Sequence, residues 1–163
     1  MPHSFTFTLM TQAHIENRKA RHDYFILDTF EAGIALLGHE VKSIREGKVN
    51  LKDSFVRIVA GQAYLFNCHI TPYSHIQGYI DPEPIRSRKL LLHKMEIEKL
   101  GGRIAQKGHT IVALKMYFKK GKVKVEIGVA KGKKEFDKRD TIRQRIHDRE
   151  TSAAVKQHQR KQR

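Results

Sequence analysis

Ten histidines and a single cysteine are the first side chains to test for chemistry in this sequence. A zinc-protease helix needs two histidines four residues apart so that both ligands leave one face. His39-Glu40 has no such second histidine and reads as surface helix. Residues 128–134, Gly-Val-Ala-Lys-Gly-Lys-Lys, resemble a phosphate-cradling loop. That loop needs four residues between its glycine and Gly-Lys, then Ser or Thr for magnesium; here three intervene, and Lys134 stands at the hydroxyl position. Cys68, between Asn67 and His69 in a strand-like run, reads as a half-buried small hydrophobe, because a reactive thiolate needs a nearby base or helix N-terminus. One cysteine also excludes an internal disulfide and a cysteine-based zinc site. Glu31 has no second carboxylate or histidine tied to it by spacing and reads as a partner for Lys or Arg, or as an acceptor for base amino groups. The pattern predicts no catalytic residue, no metal and no cofactor. A nuclease, the enzymatic alternative, would have only His22 with Asp23 and His69 with His75 as close candidates.

Basic clusters interleaved with stacking and hydrogen-bonding groups are what the sequence supplies instead. They are Asn17-Arg18-Lys19-Ala20-Arg21-His22-Asp23-Tyr24, Arg86-Ser87-Arg88-Lys89 and Lys131-Gly132-Lys133-Lys134. Lysine and arginine reach phosphate oxygens, while Tyr24, His22 and Asn17 offer a ring plane and amide groups, the vocabulary of RNA recognition. Thirty-two Lys and Arg against 17 Asp and Glu give a formal net charge of +15, which self-repels unless a polyanion relieves it. Nucleic acid is the leading partner. A membrane surface is the rival, but it calls for a basic helix with a broad apolar face, and the chain has no Trp. No run approaches the ~20 apolar residues of a membrane span. The opening residues lack a basic n-region and a small-residue cleavage site, so the expected compartment is the cytoplasm.

The elements that must position these clusters follow from periodicity. Residues 1–16 read as a flexible N-terminal extension, and 17–130 as one RNA-binding domain. Residues 24–37 predict a long strand that bends or bulges at Gly33. Residues 39–46 predict a short helix closed by Gly47. Residues 54–59 and 63–70 predict a hairpin around Ala60-Gly61-Gln62. Three prolines and a glycine make 71–88 a surface loop, and 91–104 carry one helix that ends early at Gly101-Gly102. Residues 110–118 and 122–130 predict two strands; in the second, Val123, Val125, Ile127 and Val129 face one side, with Lys122, Lys124 and Glu126 on the other. The expected fold is mainly β, an antiparallel barrel of the oligonucleotide-binding (OB-fold) type with five or six strands and two short helices. A five-stranded α+β sandwich is the alternative.

After Ala130 the composition changes. Residues 131–163 carry 12 basic and 5 acidic side chains, so about half the excess charge sits in a fifth of the chain. Phe136, Ile142, Ile146 and Val155 are too few to bury a core and offset a backbone ordering cost of ~1–2 kcal/mol per residue. The tail is therefore expected to be disordered in the free protein. Ile142 and Ile146, at i and i+4, with Ala153-Ala154, allow it to become a basic helix against a polyanion.

From Asn17 onward the sequence resembles the small protein B family, the SsrA-binding proteins of bacteria. The matching segments are Asn17-Arg18-Lys19-Ala20, His22-Asp23-Tyr24, Gly38-His39-Glu40-Val41-Lys42-Ser43, Arg45-Glu46-Gly47-Lys48 and Arg88-Lys89-Leu90-Leu91-Leu92-His93, then residues 128–134 and Asp137-Lys138-Arg139. The resemblance implies an OB-type barrel that binds the transfer-RNA-like domain of transfer-messenger RNA (tmRNA) and performs no bond chemistry. It further implies a tail that enters the decoding centre and empty messenger channel of a stalled ribosome and becomes helical there. The RNA-contact positions implied are Asn17, Arg18, Lys19, His22, Tyr24, Glu31, Glu40, Lys42, Arg45, Lys48, Lys89, Leu91 and Lys124. The ribosome-contacting tail would use Lys131, Gly132, Lys133, Lys134, Phe136, Asp137, Lys138 and Arg139. Leu91 reads equally as contact or core. Phe136 can stack but can neither hydrogen-bond nor ionise. The expected partners are tmRNA and the stalled ribosome, with no membrane, the protein acting as a monomer; a generic single-stranded-RNA binder is the alternative.

Overall fold

Val123, Val125, Ile127 and Val129 all point into the core, as their alternation requires, and the strand that carries them organises the fold. The computed structural model describes residues 13–73 and 83–161. In chain order the elements are β1 (His14–Glu16), α1 (Arg18–Asp23), β2 (Tyr24–Ile34), α2 (Gly38–Arg45), β3 (Val49–Asn50), β4 (Phe55–Val59), β5 (Gln62–Phe66), β6 (His69–Ile70), β7 (Arg88–Leu91), α3 (Lys94–Ile104), β8 (His109–Lys119), β9 (Lys122–Gly132) and α4 (Glu135–Lys161). Six strands form an antiparallel ring in the order β8-β4-β5-β7-β2-β9, closed by pairing of β9 with β8. With six strands closed by that pairing, the ring differs from the five-stranded α+β sandwich that is the alternative. Inside it pack Ile34, Val56, Leu65, Leu90, Ile111, Met116 and the β9 residues, with Ile44 of α2 and Leu100 of α3 joining the same cluster.

Several expectations need correction. Residues 14–16, assigned to the extension, form β1 and pair with residues 115–117 of β8, because Ile15 packs against the core. Residues 18–23 are helical, with the Asn17 side chain accepting the Ala20 backbone N–H as N-cap. The bulge of β2 lies between Ile26 and Asp28, not at Gly33. Gly33 serves a close approach instead, since a Cβ there would stand 3.1 Å from Cβ of Leu91. Residues 63–70 are not one strand: Asn67, at φ 56°, breaks the run before β6. Arg88–Leu91 is a strand hidden in what read as a basic cluster, and α3 runs through both glycines to Ile104. The body extends to Gly132, two residues beyond the expected boundary, because Lys131 and Gly132 still pair with Phe25 and Tyr24.

The two hairpins match their turn chemistry. Ala60-Gly61 and Lys120-Gly121 both adopt positive φ, as two-residue connections of tight hairpins require. The alternation of β8 is blurred for a packing reason. Val112 and Leu114 face outward into a second cluster with Ala20 of α1 and Ala130, so four successive residues, Ile111 to Leu114, are buried.

The largest difference is the tail. It was expected without structure in the free protein, yet Glu135–Lys161 is one helix. Lack of apolar residues removes a reason to pack, not a reason to coil: no Gly or Pro follows Gly132, and Arg, Lys, Gln, Glu and Ala dominate. Its side chains described beyond Thr141 are all exposed.

Candidate nucleic-acid interface

Antiparallel register brings together residues that lie far apart in the chain. Gly33 is opposite Leu91 on one side and Lys124 on the other, so Leu91, Gly33 and Lys124 form one row across β7, β2 and β9. Glu31, two residues back on β2, shares their face. Glu31, Leu91 and Lys124, together with Lys89, line an open groove of about 470 Å³, with Gln62, His93, Glu96 and Ile97 among its other walls. Leu91 is 55% exposed, which decides between its two readings: it is surface, not core. Lys124 is outward, as its strand alternation predicts.

Glu31 is held ionised. The Tyr117 hydroxyl and the Lys119 ammonium, the latter at 2.9 and 3.0 Å, donate to its oxygens and hold its carboxyl below the usual glutamate value. Burial and the same hydrogen bond push the Tyr117 phenol up to about 12. A base amino group that used Glu31 would take over acceptor positions now filled by Tyr117 and Lys119. Neither partner was singled out in the sequence, because they lie 86 and 88 residues from Glu31 and only the β8–β9 hairpin brings them near.

A second groove, of about 330 Å³, is lined by Asn17, Lys19, Asp23, Tyr24, Asp53, Phe55, Arg57 and Thr110 among others. Lys19 donates to Asp53 at 2.7 Å, and His22 Nδ1 lies 2.9 Å from Asp23 Oδ1. That hydrogen bond from His22, with the charge of Lys138, holds the Asp23 carboxyl below its ordinary value despite some desolvation. Arg18 is exposed on the same short helix. Asn17 has another role than the one expected. It is 3% exposed; its amide N–H groups donate to the carbonyls of Leu51 at 2.8 Å and Ala113 at 2.9 Å, while its oxygen caps α1. Every polar atom of that side chain is occupied, so Asn17 positions α1 and offers no free amide.

The α2 residues divide in the same way. Lys42 and Arg45 are exposed, their cations over the rings of Tyr73 and Phe118 at 5.3 and 5.8 Å, and Lys48 pairs with Glu46 at 2.6 Å. Glu40, expected on a surface helix, is buried. It accepts from Arg86 at 2.6 and 2.9 Å, from Arg88 at 2.9 Å and from the Leu37 backbone at 2.8 Å. Burial pushes its carboxyl up, but these donors outweigh the penalty and hold it below the usual value. Arg88, one of an expected surface cluster, is fully buried and also donates to the carbonyls of Cys68, Pro84 and Arg86. Charge alone cannot separate such an arginine from its exposed neighbour Lys89; only the strand alternation Arg88-in, Lys89-out, Leu90-in, Leu91-out does. Cys68 is buried, and desolvation pushes its thiol up to about 11, consistent with a packing role. Of the close histidine pairs, His75 lies outside the described residues. Among the described residues no cluster of His, Cys, Asp and Glu could hold a metal ion, and no helix is long and apolar enough to cross a membrane.

The tail leaves beside the second groove. Lys133 N–H donates to the Asp23 carbonyl at 2.9 Å, its ammonium sits 5.0 Å from the Phe25 ring centroid, and Lys138 lies 3.6 Å from Asp23. Asp137 accepts the Lys134 backbone N–H at 3.1 Å at the start of α4. Lys131, Gly132, Lys134 and Arg139 are exposed, and Phe136 is 71% exposed, its ring uncovered. Tyr24 and Glu31 are seven residue steps apart along β2, about 23 Å at strand rise, so the two grooves lie towards opposite ends of that strand.

The family model described as SmpB protein matches residues 14–157. An SsrA-binding protein of Shouchella clausii is 57% identical over 145 residues, which cover 89% of this chain and 92% of the relative. One from Halalkalibacterium halodurans is 56% identical over 142 residues, covering 87% and 92%. A solved structure described as "tmRNA-SmpB: a journey to the center of the bacterial ribosome" superposes with a TM-score of 0.64 at 53% identity, covering 76% of this chain and 86% of that one.

Proposed function

Since the chain belongs to the SmpB family, we propose that it is an RNA-binding adaptor of trans-translation, which binds the transfer-RNA-like domain of tmRNA and delivers it to stalled ribosomes. The observation that carries this reading is the convergence of Glu31, Lys89, Leu91 and Lys124, from three strands, in one open groove on a chain of net charge +15. The six-stranded ring acts as an OB-type barrel whose outer face meets the RNA. Arg18, Lys19, His22 and Tyr24 form a second contact region at α1, with Lys42, Arg45 and Lys48 contributing charge from α2; Asn17 and Glu40 act by holding those elements. The protein works in the cytoplasm as a monomer, without a cofactor, and makes or breaks no bond.

The tail is the ribosome-directed part, carrying Lys131, Gly132, Lys133, Lys134, Phe136, Asp137, Lys138 and Arg139 towards the decoding centre and the empty messenger channel. Among the described residues, its ion pair and hydrogen bond to the body come from its first turns. A helix with so little packed face is marginal in water, so it frays in the free protein and firms against ribosomal RNA. Competition between labelled tRNA-like domain and an unrelated RNA of equal length, with magnesium present, tests the reading. The labelled RNA should be displaced only by excess of itself and should stay whole. Equal displacement by the unrelated RNA would support a generic binder, and cleavage would support a nuclease.

A further inference from the structure

The outward face of β4, β5 and β7 carries a row in which only Lys89 is among the expected contacts. Arg57 is directly opposite Tyr64, and Tyr64 is directly opposite Lys89, so a cation, an aromatic ring and a cation stand side by side across three strands. The next row along is Phe55 opposite Phe66, their rings stacked at 5.6 Å and 11°. Arg57 lies over the Phe55 ring at 5.1 Å. Val56, Ala63 and Leu65, which alternate with these residues, fill the core, which fixes the ringed face as outward.

Position makes the row informative. Phe55 and Arg57 line the groove at α1, whereas Lys89 lines the groove that holds Leu91, Lys124 and Glu31. The face thus bridges the two regions that the sequence picked out, a path of about 19 Å across β4, β5, β7, β2 and β9 at the usual strand spacing. Lys19, Lys115, Lys119 and Lys138 all have a carboxylate partner, but among the described residues Arg57 and Lys89 have none. A row of rings flanked by unneutralised cations is complementary to an unpaired nucleotide, whose base stacks while its phosphates meet the charges.

We propose that Tyr64, flanked by Arg57 and Lys89 and backed by the Phe55–Phe66 pair, is a stacking platform for an unpaired base of the bound RNA. It connects the two grooves into one continuous RNA track. This rests on the RNA-binding reading above and adds a base-stacking subsite to it.

The test compares full-length variants Tyr64→Phe, Tyr64→Leu, Arg57→Gln and Lys124→Ala for binding to the tRNA-like domain of tmRNA, with thermal melts to show that each is folded. Tyr64→Phe keeps the ring and should bind like the parent. Tyr64→Leu keeps an apolar strand residue but no π face and should lose about 5- to 150-fold in affinity. Arg57→Gln should lower the slope of log affinity against log salt by roughly 0.7 to 0.9. If Lys124→Ala weakens binding while Tyr64→Leu and Arg57→Gln leave affinity and salt slope unchanged, the platform is refuted and the functional reading survives. If the parent protein itself fails to bind the RNA, the functional reading falls first. Should Tyr64→Leu melt with the parent yet bind equally well, no stacking role is left for this face.

Discussion

Replacing Asn17 by alanine tests whether this residue acts by position or by contact. In the structure its side chain makes three buried hydrogen bonds: one caps α1, and two reach the carbonyls of Leu51 and Ala113, joining α1, the segment before β4, and β8. Loss of an N-cap costs about 1 kcal/mol. Each carbonyl left without a donor in a dry site costs about 1–3 kcal/mol, some of which water entering the vacated space recovers. A net destabilisation of about 3 kcal/mol follows, or a fall of roughly 6–12 °C in melting temperature for a chain of this size. Asn17→Asp keeps the capping oxygen but turns two donated bonds into repulsion between a carboxylate and two carbonyls, so at neutral pH it should be no more stable than the alanine variant. Denaturant and thermal melts measure both, and RNA affinity taken well below the melting transition separates the roles. A variant that melts with the parent but has lost RNA affinity would show Asn17 to be a direct contact and would refute the reasoning.

Arg88→Met removes a fully buried guanidinium that serves Glu40 and three carbonyls, and should destabilise by about 3–5 kcal/mol in urea melts. Because the Glu40 carboxyl is held below its ordinary value of 4.5, its contribution is present above that pH and is lost as the pH falls through the lower folded value. Glu40→Gln should therefore flatten the acid limb of a stability–pH curve while leaving its slope near pH 7 unchanged. The Cys68 thiol, buried and pushed up to about 11, should resist iodoacetamide at pH 8 in the native protein and react on addition of denaturant; ready native labelling would contradict its packing role. Gly33→Ala would put a Cβ 3.1 Å from Cβ of Leu91, forcing that exposed leucine to shift. RNA affinity should drop with little change in melting temperature, and an unchanged affinity would remove Leu91 from the contact set.

How much of this could be read in the sequence depended on whether the signal was local. The alternation of β9 and the glycine-marked hairpins are local patterns, and they carried their strands and the outward face of Lys124. Strand Arg88–Leu91 hid behind its charges, since a buried arginine and an exposed lysine look alike until register assigns them to opposite faces. For the same reason Asn17 and Glu40 read as surface contacts: the partners that consume their polar atoms lie 34, 96, 46 and 48 residues away. Leu91 could be resolved only once its strand was placed and its outward, exposed position became visible, and the Tyr64 row exists only through pairings of β5 with two neighbours. For the tail, composition indicated correctly that little would be buried; helix content, which needs no core, was a separate question.

A cut at the structural end of the body tests the division between RNA-gripping body and ribosome-directed tail most directly. Stopping the chain after Lys134 spares β9 and the Lys133 bond to Asp23, which a cut at Ala130 would sever. The truncated protein should hold the tRNA-like domain of tmRNA with nearly the affinity of the full chain, yet support no peptide tagging on stalled ribosomes. Loss of RNA binding with tagging retained would contradict the account.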